Sequence, residues 1–556
     1  MRECLTGAAL RDGESKQPQV YGAWVFWAAV GVLLLLYAWV ASQGLLWFDT
    51  DSDWVKQAAL VKLVSGRFAT PMGEGNIPHA SLVYHWYPLY PAVLVPYLRL
   101  AGTSHAAHLW FDLGLNSAAA AVGAWWLVRR TGSGCWGAIY LLGTPFLATF
   151  KLGRPETLTS LFAMLAAALT VCGRRQLFWL VGICLGCAVA ASYPAGLACC
   201  VAWAAFVLAQ GDVSSRELVK VLGTGIVAAA TALAVWLYVV YPHWREAAEA
   251  LAYNTRKLGE SYGHLLSSLP ATPRLVLPLT VAIGVLSLAC WGPWRLFGQL
   301  SPDETRLVRA SFWAVAGYLG ALLVILRRPV AYYFPPLAHL VLPLTVYLLW
   351  RLGRQPAGLR WSPGAKWITV FGAAPALAWL NVFLLRAALL PLGWTDNSMT
   401  PATVKALLEA TVPRDATLRG DGKLLTVVGT NWHYISLNWT GTNHWPQYVV
   451  SLVHPRTLEP TLYGFKGFGP KARARIEGEY EPVPTQPATP TPCEITRWLR
   501  GRGLPTPDYK NCDWFVRIWK RRAGHPRRAS QQHIRFDSAS LLRVSGAAGS
   551  RSESSH

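Results

Sequence analysis

Charge is scarce in this sequence. Asp, Glu, Lys and Arg make up 14% of its 556 residues, where a soluble domain carries roughly 25%. Acidic residues are the rarer sign, 29 against 51 basic, for a net charge of +22. With 53% of residues apolar and a mean hydropathy of +0.27, there is too little polar surface to cover a body in water. A soluble enzyme with a few large cores is therefore excluded, as are disordered and collagen-like chains. Ten cysteines diluted over the whole length exclude a disulfide framework. No glycine-rich phosphate loop of the Walker type and no dinucleotide fingerprint occurs, so neither nucleotide-driven transport nor a nucleotide-sugar donor has support, and no nucleotide cofactor is expected.

What is present is a series of apolar blocks. A spanning helix needs roughly 20 apolar residues. Blocks over 20–46 and near 109–128, 134–150, 157–172, 177–192, 195–210, 219–241, 275–292, 310–326, 330–350 and 367–390 suggest about eleven transmembrane spans. The first block is too long for a signal-peptide core and lacks a small-residue cleavage site, so it reads as an uncleaved helix. Arg129-Arg130, Arg174-Arg175, Arg216 with Lys220, Arg295 with Arg306 and Arg309, and Arg351, Arg354, Arg360 and Lys366 fall on alternate loops. They share a side with Arg2, Arg11 and Lys16. Short cytoplasmic loops collect Lys and Arg, so the N-terminus is expected in the cytoplasm and the chain beyond 390 outside the plasma (inner) membrane. This placement also explains the basic excess without a nucleic-acid partner.

The expected fold is an α-helical polytopic membrane protein. It comprises a cytoplasmic segment 1–19, a transmembrane part 20–390 with an outer loop 47–108, a small α/β extracytoplasmic domain 391–520 and a disordered basic tail 521–556. Inside the outer loop, 54–63 reads as an amphipathic helix lying on the membrane surface. The stretch 87–100, with three prolines, reads as re-entrant or interfacial. In the extracytoplasmic part, Thr400 is an N-cap for a helix over 401–411. Alternating runs at 416–420, 434–439, 447–453, 473–480 and 513–519 predict strands, and the prolines of 482–492 mark a loop. Cys184 and Cys187 fall inside a span and read as small apolar residues, whereas Cys493 and Cys512 lie outside, where a disulfide is chemically allowed.

Asp49, Asp51 and Asp53 cluster where the first span leaves the membrane. Carboxylates at a bilayer edge are costly unless they meet cations, a metal or water. Helix capping by Asp53 or Ser52 is the plain alternative, but a cap needs one such residue and not three. Downstream come Ser65-Gly66-Arg67 and His85-Trp86-Tyr87-Pro88-Leu89-Tyr90. The stretch Lys151-Leu152-Gly153-Arg154-Pro155-Glu156 emerges on the same outer side, as does Arg327-Arg328 ahead of Tyr332-Tyr333-Phe334-Pro335. Snorkelling at the interface is the alternative for each of these cations, and an interfacial histidine among aromatics is the alternative for His85.

In order and spacing, these motifs resemble the GT-C superfamily of membrane glycosyltransferases, most closely the protein O-mannosyltransferase and lipid A aminoarabinose transferase group. The resemblance covers roughly residues 20–350. It rests on an acidic pair after the first helix, a Gly about fifteen residues on, a Pro-Leu-Tyr motif and an Arg-Pro-Glu. It implies transfer of a sugar from a polyprenyl-phosphate donor to an envelope glycan, lipid or protein hydroxyl. Counting back from Gly66 places Asp51 on the family's catalytic aspartate. The acidic residue that normally follows is Ser52 here, leaving Asp49 or Asp53 to supply the second carboxylate. His85 stands where relatives place a residue that binds metal or phosphate, so the resemblance implies a divalent cation between Asp51 and His85.

The chemistry suits these residue types. Asp51, with Asp49, would be the base for the acceptor hydroxyl. Arg154, Lys151, Arg327 and Arg328 would bind the donor phosphate, with Glu156 orienting Arg154 and Asp53, Tyr87 and Tyr333 in support. A different class, a transporter or flippase for a lipid-linked or envelope precursor, would place ionisable residues at mid-bundle; Asp112 and Arg386 both read as span-end residues. A third reading is a catalytically dead scaffold whose outer domain binds a cell-wall partner.

Overall fold

The computed structural model describes residues 22–46, 48, 52–70, 78–80, 82–145, 147, 152–171, 177–210, 214–259, 302–325, 333–353, 400–420, 424–428, 433–436, 446–453, 470–484, 498, 501–502 and 515–523. Asp49, Asp51, Lys151, Arg327, Arg328, Arg386, the blocks 275–292 and 367–390, Cys493, Cys512 and the segment 1–19 lie outside these residues.

The structure is mostly helical. In order, the helices are α1 (Ala23–Gln43), α2 (Asp53–Ser65), α3 (Leu89–Ala101), α4 (His105–Thr131), α5 (Gly134–Gly143), α6 (Glu156–Val171), α7 (Phe178–Ala191), α8 (Tyr193–Ala209), α9 (Ser215–Val240), α10 (Trp244–Gly259), α11 (Pro302–Ile325) and α12 (Pro335–Gly353). Among the described residues, α1 and α9 are the two helices long and apolar enough to cross a bilayer. Both leave large apolar side chains uncovered, Trp24, Trp27 and Leu35 on α1 and Leu222, Ile226 and Tyr238 on α9. Capping follows the side chains. Ser104 accepts from the amide of Ala107 ahead of α4 and Ser214 from that of Glu217 ahead of α9, while Arg129 and Arg130 complement the C-terminal end of α4. Close helix contact between α7 and α9 depends on Gly186, where a β-carbon would lie 2.5 Å from the carbonyl oxygen of Ala228.

The last part of the chain adds α13 (Pro401–Thr411), β1 (Thr417–Gly420), α14 (Leu425–Val428), β2 (His433–Ser436), β3 (Tyr448–Val453), α15 (Pro470–Glu479), β4 (Tyr480–Pro482) and β5 (Phe515–Arg521). The five strands form one mixed sheet in the order β2-β1-β3-β5-β4. β1 runs parallel to β2 and β3, and β5 runs antiparallel to β3 and β4. The cap on α13 is as expected, the Thr400 hydroxyl accepting from the Thr403 amide.

Three expectations are corrected. Of the expected strand 473–480, residues 473–479 belong to α15, and β4 begins only at Tyr480. The proline-rich stretch opens inside the sheet, since Pro482 pairs with Trp519 and the Val483 amide donates to Ile518. Order also passes the expected tail boundary at 521, because Arg521 pairs with Tyr480 and the Arg522 amide donates to Glu479.

Two large cores organise the molecule. One lies within the helical bundle, between α1, α4, α5, α6, α7, α8, α11 and α12. The other joins α2, α3 and the start of α4 to α13, α14, β1, β3 and β5. The expectation of a surface-lying α2 is therefore overturned. All of residues 55–61 are buried, Lys56 and Gln57 included, because neighbouring helices, α3 and α14 among them, cover faces that an interfacial helix would give to headgroups and water. His105 ties the two parts together: its Nε2 is 2.9 Å from the Leu46 carbonyl oxygen and its Nδ1 2.8 Å from the Thr426 hydroxyl.

Candidate functional site

Among the described residues, the turn before α6 leads into two of the predicted ones, Arg154 and Glu156. Gly153 has φ +86°, and a β-carbon there would lie 2.7 Å from Phe48 Cδ1, 2.9 Å from Lys56 Nζ and 2.9 Å from Ser52 Cβ. Only glycine combines that left-handed backbone with so close an approach. Phe48 precedes Asp49 in sequence and Ser52 follows Asp51, so both flanks of the acidic segment 49–51 rest on this turn.

Arg154 follows, 5% exposed, its Nε 3.4 Å from Glu156 Oε2. Glu156 opens α6 and is buried; its other oxygen accepts from the Ser192 hydroxyl at 3.1 Å. The next residue, Tyr193, begins α8, and its hydroxyl donates to the His85 carbonyl at 3.3 Å. Tyr193 also packs on the Tyr87 ring at 6.1 Å between centroids. The Tyr87 hydroxyl lies 3.4 Å from that of Tyr333, and the Tyr333 carbonyl accepts from Tyr318 at 2.6 Å. The expected residues Arg154, Glu156, His85, Tyr87 and Tyr333 thus converge through a dipeptide, Ser192-Tyr193, that the sequence did not single out. Tyr84 joins them: burial pushes its phenol well above the ordinary range, and Tyr87, Tyr193 and Glu156 push the same way.

His85 is 2% exposed, with its ring edge-on to Trp86 at 5.9 Å. Burial pulls its pKa down to about 4, so the imidazole is neutral at physiological pH. Asp53, 2% exposed, is the first residue of α2. Ser52 holds the N-cap position without a side-chain cap bond, which leaves the plain capping reading without its hydrogen bond there. Among the described residues, no group of three or more His, Cys, Asp or Glu is arranged to hold a metal.

Beside the turn lies a second polar cluster, absent from the expectations. Lys56 Nζ is 2.9 Å from Asp112 Oδ2, and the Tyr90 hydroxyl donates to Asp112 Oδ1 at 2.5 Å. All three residues are at most 1% exposed. Burial lowers the Lys56 pKa to about 8 against the opposing pull of Asp112. The sequence carried no signal for the pairing, because Lys56 stands beside Asp53 and Gln57 in a stretch that reads as a wet helix face.

No protein-family model matches the chain, and no curated protein or solved structure matches it either.

Proposed function

We propose that this chain is a multi-pass membrane glycosyltransferase of the GT-C type, with about eleven spans, a cytoplasmic N-terminus and its site on the outer face of the plasma membrane. It would move a sugar from a polyprenyl phosphate to an envelope acceptor hydroxyl. The observation that carries this reading is the seating of both flanks of the acidic segment 49–51 on the Gly153 turn, one residue from buried Arg154. A base and a phosphate-binding cation are the two groups that such a transfer needs side by side.

In the proposed reaction, Asp51 accepts the acceptor's hydroxyl proton as its oxygen bonds the anomeric carbon. The bond from that carbon to the phosphate oxygen breaks, and the phosphate leaves with the electron pair. Arg154, with Lys151, Arg327 and Arg328, neutralises that phosphate, and Glu156 and Ser192 hold Arg154 in place. Asp49 or Asp53 supplies the second carboxylate, and Tyr87, ahead of α3, and Tyr333, ahead of α12, support the site with their paired hydroxyls. Neutral His85 is in the form that ligates a metal, and a divalent cation held by it and Asp51 would carry part of the phosphate charge. An apolar cavity of about 150 Å³ inside the bundle, lined by Gly123, Ala163, Ala202 and Leu337 among others, suits a hydrocarbon chain.

One observation favours the transporter or flippase instead: the Tyr140 hydroxyl lies 3.2 Å from Nδ1 of fully buried His339 inside the bundle, and intramembrane ionisable groups often serve transport. The two readings separate in one assay. Wild type and Asp51→Asn are incubated with native lipid extract and acceptor fractions, with and without divalent cation, and lipid-linked sugars are followed by mass spectrometry. A lipid-linked sugar consumed by wild type and spared by the variant supports the transferase. No consumption by wild type under any of these conditions overturns it.

A further inference from the structure

Lys56 is a cation that the proposed transfer does not use. It sits on a helix buried on every side over 55–61, where an unpaired ammonium would be very costly. Asp112 compensates it, and Asp112 is itself held on its second oxygen by Tyr90, so one carboxylate ties α2, α3 and α4 together. A tether between helices would need no more than this. Yet the ammonium also lies 3.2 Å from the centre of the Phe48 ring, a cation–π contact in a desolvated place. Phe48 is further packed edge-on by His105 at 5.0 Å and by His108 at 6.3 Å. Phe48, the Lys56 ammonium and Ser52 are the nearest neighbours of the space over Gly153. Lys56 therefore stands where the residue before Asp49 meets the turn that presents Arg154.

We propose that Lys56 is a positioning residue: its ammonium, fixed by Asp112 and Tyr90, holds Phe48, the residue ahead of the acidic segment 49–51, against the Gly153 turn. This rests on the reading of that segment as the catalytic one, but the hold itself is measurable without any substrate.

The test uses the full chain in lipid nanodiscs and follows hydrogen–deuterium exchange of peptides covering 45–54, with turnover of the lipid-linked donor measured in parallel. Lys56→Met should raise exchange in that segment while the helices of the bundle stay protected. It should lower kcat about 10- to 100-fold, as displacement of a reacting group by about 1 Å does, with the donor KM unchanged. Lys56→Arg, which keeps the charge over the ring, should restore most of both. Unchanged exchange over 45–54 in Lys56→Met overturns the proposal, as does failure of Lys56→Arg to restore protection. Where Lys56→Met does not fold, Phe48→Leu keeps the Lys56–Asp112 pair and removes only the ring; release of the segment supports the hold and full protection overturns it. If wild type turns over no donor while exchange still responds, the transferase reading falls and the positioning role stands.

Discussion

At His85 the fold removes water from an imidazole that the sequence places between Tyr84 and Trp86. Because the folded protein binds that proton only near pH 4, whereas an exposed histidine takes it up near pH 6.5, protons favour the unfolded chain between these values. Stability is full above about pH 6.5 and is lost as pH falls towards 4. Thermal unfolding in detergent across that range should show the fall, and His85→Gln should flatten it; an equal slope in the variant would assign the loss to other groups. His85, Arg154 and Glu156 were all legible as residues, because each sits in a short motif with prolines and aromatics around it. Lys56 and Asp112 were not. Fifty-six positions apart, they become a pair only when α2 lies against α4, and nothing local encodes that approach.

Among the elements, α6 begins with its own electrostatic lock. Glu156 is its first residue, Arg154 stands two residues earlier in the turn, and Ser192 reaches across from the junction of α7 and α8. Replacing Glu156 by Gln keeps a hydrogen-bond partner for Ser192 and deletes the charge facing a buried guanidinium. The expected cost is about 3 kcal/mol, against about 1 kcal/mol for Ser192→Ala. Melting curves of the two variants against wild type would check this; equal losses would mean that the charge contributes nothing beyond the hydrogen bond. The misread elements also have physical reasons. Residues 471–476, Lys-Ala-Arg-Ala-Arg-Ile, alternate like a strand, but Ala, Lys and Arg are strong helix formers. The pairing of Arg475 with Glu479 one turn on, at 2.7 Å, then supports α15 as a helix. In α2 the polar residues suggested a wet face, but Lys56 found Asp112, and α3 and α14 pack against the helix.

Across the whole molecule, α2, α3 and the terminal sheet share one core, with His105 hydrogen-bonded both to Leu46, just past α1, and to Thr426 of α14. Composition alone separated 20–390 from 391–520; it could not show that the two interlock, because the contacts join residues hundreds of positions apart. The bundle beneath holds the apolar cavity, and its depth bears on the donor. Ala163 lines the cavity seven residues along α6 from Glu156, about 10 Å of helix, while Leu337 lies four residues from Tyr333 on α12. A chain whose phosphate met Arg154 would have to run that distance before its end could fill the space. A geranyl-phosphate sugar would fall short of full occupancy, and a long-chain polyprenyl-phosphate sugar would not. Wild type should therefore prefer the long donor by about ten- to a hundredfold in kcat/KM, the worth of a few buried methylene groups. Ala202→Phe, which puts a ring into the cavity from α8, should erase that preference by lowering turnover of the long donor while leaving the geranyl donor unaffected. Equal losses for both donors would mean that the ring disturbs the site itself, and an undiminished preference would place the chain outside the bundle, against lipid.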